Sequence, residues 1–302
     1  MSDNANGGAG ERAAVRAGFL GPAGTFSEEA LLASAEPGAV EPVPMASIAG
    51  AIAAVRDGEL ELAIVPIENS LEGSINVTLD LLAEQAPAVQ IVGEALLRVR
   101  HALIAAQAVP LASITRVLSH PAVPGQCARF LEEELAQAQI FPASSTAEAV
   151  RGVVCGGEQS AAALGTTLAA EIYGGVVLRE GVEDRADNET RFVWVARAGG
   201  EAPPLRGRAA DGRRRCSIVF WGAGAERPGW LVRCLDEFAS REINLTKIES
   251  RPRRREMGSY MFFADLDQGA ERPDVAAALA ALGELCEEVR VLGSYPAAAP
   301  AR

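Results

Sequence analysis

Several things are scarce in this chain, and each shortage removes a class of function. Aromatic residues make up only 5% of its 302 residues, and it contains just two histidines, His101 and His120. A histidine-based metal centre would need both, with acids at matching positions, and the spacing offers none. The five cysteines (Cys127, Cys155, Cys216, Cys234, Cys286) are odd in number and scattered, with no C-x-x-C pair. Neither a disulfide framework nor a zinc site is expected, and a reducing cytoplasm fits. Basic residues are outnumbered, giving a net charge of −12, which is wrong for nucleic acid because phosphates need a basic surface. A local electropositive site for an anionic metabolite is still compatible with that total. No apolar run is long enough to cross a membrane. The start, Met1 to Glu11, is polar and Gly-rich and lacks the apolar stretch of a secretory signal. Residues 1–14 read as a disordered tail.

What remains is the composition of a soluble globular protein, 49% hydrophobic and 23% charged, long enough for two or three domains. Residues 15–197 alternate short apolar runs with amphipathic stretches, the α/β pattern. Val15 to Leu20 reads as a strand, Gly21-Pro22-Ala23-Gly24 as a turn, and Thr25 or Ser27 as the cap of a helix. Helices are expected from Ser47 and over Asn76–Glu84, with strand Leu62–Ile67 between them. A second group of elements begins near Ile91, and strand Thr190–Ala196 closes the region. The expected architecture is two lobes, about 15–92 with 178–197 and about 93–177, with a cleft between them. Residues 198–214 lack periodicity and read as a linker. Residues 215–294 follow the order βαββαβ, a ferredoxin-like arrangement, and 295–302 read as a tail.

Four polar clusters lie where strands end. The most informative is Glu68-Asn69-Ser70, which stops the buried run Leu62–Ile67 just before a new helix. Polar side chains at the carboxyl end of a buried strand are placed like ligand contacts in an α/β sheet, and helix N–H groups there favour an anion. Thr25 and Ser27 sit at a similar turn, where a helix cap is the competing reading. Ser119-His120-Pro121 precedes Gln126, so Ser119 and Gln126 face one cleft. His120 is read as a turn residue before proline, and Cys127 as a small buried residue. In Asn188-Glu189-Thr190-Arg191-Phe192, a hydroxyl stands beside a fixed cation at a strand's entrance, a donor pair.

Beyond the linker, Gly222-Ala223-Gly224 mimics half of a dinucleotide fingerprint, but the third glycine is absent and the unit is too short. A better candidate for an amino-acid pocket joins the helix start Gly229-Trp230-Leu231-Val232 to the strand end Glu249-Ser250-Arg251-Pro252. A plain interface is the competing reading of those two segments.

Taken in order, Gly-Pro-x-Gly-Thr-Phe-Ser, Pro-Ile-Glu-Asn-Ser, Ser-His-Pro…Gln, Thr-Arg-Phe and Glu-Ser-Arg-Pro resemble the prephenate dehydratases over about residues 16–294. The resemblance implies a two-lobed catalytic region like type II periplasmic solute-binding proteins, followed by a ferredoxin-like ACT regulatory domain. It implies a carbon–oxygen lyase without cofactor or metal, in the monofunctional form, acting on prephenate in phenylalanine biosynthesis. It also implies a homodimer or homotetramer regulated by an aromatic amino acid, phenylalanine in the family. Carried over by position, Thr190, Asn69, Ser119 and Gln126 are catalytic, and Thr25, Ser27, Glu68, Ser70, Arg191 and Phe192 bind substrate. Gly229, Trp230, Leu231, Val232, Glu249, Ser250, Arg251 and Pro252 are the expected effector contacts. Trp230 departs from the family, which commonly has a small residue there. Arogenate dehydratase and a non-catalytic amino-acid sensor are the competing readings.

Overall fold

The computed structural model describes residues 14–85, 87–222, 227–253 and 258–299. Its first lobe is built by β1 (Val15–Leu20), α1 (Phe26–Ser34), β2 (Val40–Met45), α2 (Ile48–Asp57), β3 (Leu62–Asn69), the two-residue β4 (Gly73–Ser74), α3 (Asn76–Gln85) and β5 (Val89–Arg98). β3 reads as an unbroken apolar run because both its faces are covered. α2 is bounded as its sequence dictates, by the Ser47 hydroxyl accepting from the Gly50 N–H and by Gly58 in the left-handed region. β2, Val-Glu-Pro-Val-Pro-Met, was not expected as a strand. Its two prolines cannot donate to a ladder, and it lies at the sheet edge where that is tolerated.

The second lobe comprises β6 (Ala102–Ala105), β7 (Arg116–Ser119), α4 (Ala128–Glu134), β8 (Gln139–Pro142), α5 (Thr146–Gly156), β9 (Ala161–Gly165), α6 (Thr167–Tyr173) and β10 (Val176–Glu180). The chain then returns to the first lobe as β11 (Glu189–Arg197). The sheets run β2-β1-β3-β11-β5 and β8-β7-β9-β6-β10. In each, three parallel strands meet an antiparallel fourth that has just crossed from the other lobe. Two expected boundaries are corrected. β5 pairs with β11, so the first lobe extends to Arg98, and β10 pairs with β6, so the second extends to Glu180.

Glu29 on α1 is a half-buried carboxyl. Burial pushes its carboxyl up to about 6. A raised folded-state pKa gives stability that is complete below the unfolded value and is lost as pH rises through about 6. Glu29→Gln is therefore expected to stabilise the fold at pH 7.5 by about 2 kcal/mol, roughly 4 °C in Tm, and to change little at pH 4. Circular dichroism melts at both pH values check this; identical melts at pH 7.5 would show that the ionised side chain costs nothing.

The third unit, β12 (Arg214–Trp221), α7 (Trp230–Ala239), β13 (Leu245–Pro252), β14 (Tyr260–Leu266), α8 (Pro273–Leu285) and β15 (Glu288–Pro296), has the expected βαββαβ order. Its sheet, β13-β14-β12-β15, is antiparallel throughout. Alternation along β12 sends Ile218 and Phe220 under its own helices, with Trp230, Phe238 and Leu282. Val219 and Trp221 face the other way and join Phe263, Leu292 and Tyr295 in the first lobe's core, against Leu82, Ile91 and Val193. The unit is thus docked on the lobe rather than tethered to it. Two expectations give way here. Leu205, in the expected linker, packs on the first lobe, and Tyr295, placed in the tail, is fully buried in β15. At Gly293 a Cβ would lie 2.2 Å from the Ile91 carbonyl oxygen, so the approach of β15 to the lobe requires glycine.

Candidate active site

A cavity of about 720 Å³ opens between the lobes. Its floor is a hydrogen-bonded chain drawn from both. Asn69 ends β3 opposite Thr190 on β11, and its Nδ2 donates to Thr190 Oγ1 at 3.0 Å and to Asn188 Oδ1 at 2.8 Å. Asn69 Oδ1 accepts from the N–H groups of Leu71 and Glu72, which fixes the amide. Asn188 Nδ2 donates to Gln126 Oε1 at 3.1 Å, and Gln126 Nε2 reaches across the cleft to Glu72 Oε1 at 3.0 Å. Thr190 thus receives a hydrogen bond from Asn69, while its own proton has no acceptor among the described residues.

His101 completes the chain. Its Nε2 lies 3.2 Å from Gln126 Oε1, an acceptor, so Nε2 carries the proton. Burial lowers the pKa, outweighing the Gln126 bond and the charge of Glu183, and the ring is neutral at pH 7. Phe26 stands edge-on to it, with ring centroids 5.3 Å apart.

Two helix N-termini, one per lobe, reach the cavity through Thr25, Phe26 and Ser27 of α1 and Ser145 and Thr146 of α5. Unsatisfied N–H groups and the helix dipole favour an anion at each. The α1 start is held from two sides: Thr25 Oγ1 accepts from Glu28 N, and the Glu28 carboxylate accepts from Gly24 N, one residue before the cap. Thr25 also donates to the Leu20 carbonyl at 2.8 Å. Its hydroxyl is committed to the turn, whereas the Ser27 hydroxyl has no partner among the described residues. Ser145 likewise caps α5, accepting from Glu148 N. Among the described residues no Arg or Lys lines the cavity, and Glu72 is the only carboxylate that does.

The structure therefore gathers Thr25, Ser27, Asn69, Gln126 and Thr190 around one space. Other expected residues lie elsewhere. Ser119 is buried beneath the cavity wall, its Oγ donating to the His120 carbonyl. Ser70 clamps β11, accepting from Glu189 N while its own N–H donates to Glu189 O. Phe192 is core. Glu68 and Arg191 face the ferredoxin-like unit, because strand neighbours of Asn69 and Thr190 must point to the opposite face. His120 acts as a turn residue at the cavity rim, its Nδ1 accepting from Ala122 N. The Cys127 thiol is buried and pushed up to about 12, by burial and then by Glu183 and Asp184.

His101, Glu72 and the α5 start were not anticipated as site residues. Asn188, in the Asn-Glu-Thr-Arg-Phe block, joins them on the cavity floor. The signal for His101 was its place at the entrance of β6, where the chain crosses between lobes.

The expected effector segment divides. Gly229, Trp230, Leu231 and Val232 line a recess of about 290 Å³ with Tyr260 and Phe262. Trp230 fills the unit's interior between Phe220 and Phe262 and donates from Nε1 to the Leu285 carbonyl. Glu249, Ser250, Arg251 and Pro252 do not line that recess. Arg251 pairs with Asp80 on α3 at 2.8 Å, and Glu249 accepts from Ser74. Most of the Gly222–Ala225 stretch lies outside the described residues.

The prephenate dehydratase family model matches residues 17–199. A prephenate dehydratase from Mycobacterium sp. (strain JLS) is 42% identical, covering 93% of this chain and 89% of its own. Among solved structures, prephenate dehydratase from Arthrobacter aurescens in complex with L-Phe superposes with a TM-score of 0.80 at 38% identity, over 93% of this chain and 90% of that one. A chain described as a quorum-quenching acylase superposes with a TM-score of 0.81 at 32% identity, over 94% and 98%.

Proposed function

This chain belongs to the prephenate dehydratase family, and on that premise we propose that the interlobe cavity turns prephenate into phenylpyruvate. The observation that carries the proposal is the Thr190 hydroxyl, oriented by Asn69 and left with a free proton at the cavity floor. Prephenate carries a ring hydroxyl, a ring carboxylate and a pyruvyl carboxylate. As the bond to the ring carboxylate breaks, CO₂ leaves and its electron pair enters the ring. The ring C–O bond breaks, and the departing oxygen takes a proton to become water. Aromatisation supplies the driving force, so the protein's task is orientation and donation to the oxygen as it gains charge.

Thr190 is the donor in this scheme, its bond strengthening as the C–O bond stretches. A threonine hydroxyl is a poor acid alone, so the proton it delivers is replaced from water in the cavity, while the amide floor holds the hydroxyl in place. The two carboxylates lie at the two helix N-termini, with Ser27 at one and Thr146 at the other. That arrangement serves two carboxylates with no lysine or arginine among the described residues that line the cavity.

Glu72 gives the second reading its argument. A carboxylate on the cavity wall suits the amino group of arogenate, the analogue with ammonium in place of the keto oxygen. The name of the acylase relative has less support, since no serine or cysteine among the described residues is bonded to a histidine as an activated nucleophile would be. Regulation by an aromatic amino acid at the ferredoxin-like unit is supported by the L-Phe complex of the Arthrobacter relative. Trp230 forms part of the wall of the recess expected to receive it.

The deciding experiment is turnover of prephenate by the purified chain, followed as phenylpyruvate, with arogenate run beside it. Phenylpyruvate should accumulate. Turnover of arogenate alone would move the substrate and keep the chemistry, and no turnover of either would overturn the reading.

A further inference from the structure

The strands that carry Asn69 and Thr190 have a second face. In the β3–β11 register, Thr190 stands opposite Asn69 and Arg191 opposite Glu68. The first pair points into the cavity and the second into the ferredoxin-like unit. Arg191 is nearly sealed there: Nε donates to Glu94 at 2.7 Å, Nη1 to Asp265 at 2.6 Å and Nη2 to the Tyr295 hydroxyl at 2.8 Å. Glu68 meets Lys247 of β13 at 3.2 Å. Lys247 is the only lysine in the chain, and its Nζ also reaches Ser74 Oγ at 2.5 Å. Both residues that flank the reacting pair are therefore gripped in part from outside the catalytic lobes, Arg191 by Asp265 and Tyr295 beside Glu94 of its own lobe, and Glu68 by Lys247.

A further feature gives that grip a purpose. The regular ladder between β11 and β3 breaks between Arg191 and Phe192, where the register shifts. Such an irregularity re-aims the residues beside it on the β3 side, while β11 keeps its regular register with β5 from Glu189 to Trp194. Side-chain bonds from the docked unit add a second hold on the irregular side.

We propose that the ferredoxin-like unit positions the reacting pair: Tyr295 and Asp265 hold Arg191, Lys247 holds Glu68, and together they set where Thr190 and Asn69 sit in the cavity. Asp265, Tyr295 and Lys247 are then positioning residues for the dehydration, although none touches the substrate. The proposal rests on the dehydratase reading of that cavity. It also gives regulation a physical route. Glu249 and Arg251, in the segment expected to meet the effector, share the Lys247 face of β13 and contact Ser74 and Asp80. Lys247 lies two residues from Glu249 on that face, so the Glu68 contact stands beside the segment expected to meet the effector.

The test uses the full-length protein and four variants, reading kcat and KM for prephenate together with Tm. Tyr295→Phe and Lys247→Met should each lower kcat roughly three- to tenfold, since misplacement of catalytic groups by a fraction of an ångström acts on the chemical step. KM should stay within about twofold. Lys247→Arg, which keeps a cation for Glu68, should recover kcat to within about twofold of the parent. Asp80→Asn cuts the Arg251 pair, which joins the same two units through α3 rather than β3 or β11. It should lower Tm and leave kcat unchanged. Parental kcat in both Tyr295→Phe and Lys247→Met overturns the proposal, as does an equal loss in Asp80→Asn, which would reduce the contacts to general docking. A parent that never turns over prephenate overturns the dehydratase reading and this proposal together; an active parent with unaffected variants overturns only this one.

Discussion

Thr190→Ala is expected to lower kcat for prephenate by roughly 10²-fold or more while KM stays within about threefold. The geometry gives the reason. Asn69 Nδ2 donates to Thr190 Oγ1, which occupies a lone pair and leaves the hydroxyl proton for the cavity. In the ground state that proton meets a neutral ring hydroxyl; as the C–O bond breaks it meets an oxygen gaining negative charge. An interaction that strengthens only along the reaction appears in kcat and not in binding. Fold loss is not the cause, because Asn69 keeps its bonds to Asn188 and to the backbone of Leu71, Glu72 and Glu189 in the variant. Thr190→Ser retains the donor and should recover most of the rate. Steady-state kinetics on the three proteins decide the matter. A kcat for Thr190→Ala close to the parent's would remove the hydroxyl from the chemistry.

The alternation of strands explains which parts of the site were legible in the sequence. Asn69 and Thr190 announced themselves because polar residues interrupted apolar runs at strand ends. The same signal marked Glu68 and Arg191, one residue away on each strand, and nothing local tells which of two adjacent polar residues turns inward. Only the docking of a unit from residues 214–296 decides it, and that pairing is long-range. His101 takes its role from the crossing of the chain between lobes and the α5 start from the way the second lobe turns that helix end to the cavity, and neither leaves a local pattern. The ferredoxin-like order was readable because its strands and helices alternate at clear periods. β9, Ala161-Ala-Ala-Leu-Gly165, carried no such mark; it lacks β-branched residues and is a strand because it is wholly buried between paired neighbours. Tyr295 looked like the start of a tail because Pro and Ala follow it, yet its hydroxyl is bonded within the buried cluster.

Arg191→Met should show where that cluster's energy lies. Arg191 and Arg215 face Glu94 and Asp265 in a region sealed from water, two cations against two carboxylates. Burial alone would raise the Asp265 pKa, but the Arg191 charge, the Ser217 hydroxyl and Arg215 outweigh it and hold the carboxyl below its usual range. The stability this contributes is present above the ordinary carboxylate pKa and lost as pH falls through the lowered one. Removing the guanidinium reverses the balance, leaving two buried carboxylates against Arg215 alone. Breaking a buried pair in this way costs about 3–5 kcal/mol, near 10 °C in Tm for a chain of this size, even though methionine fills much of the same volume. The sign of the pH dependence then separates electrostatics from packing. With Arg191 gone, burial raises Asp265, so the variant gains relative to the parent as pH falls and its deficit should shrink between pH 8 and pH 5. A packing defect would give the same deficit at both. Melting curves at the two pH values read this directly, and a variant within about 2 °C of the parent at pH 8 would mean that the guanidinium does not hold the two units together.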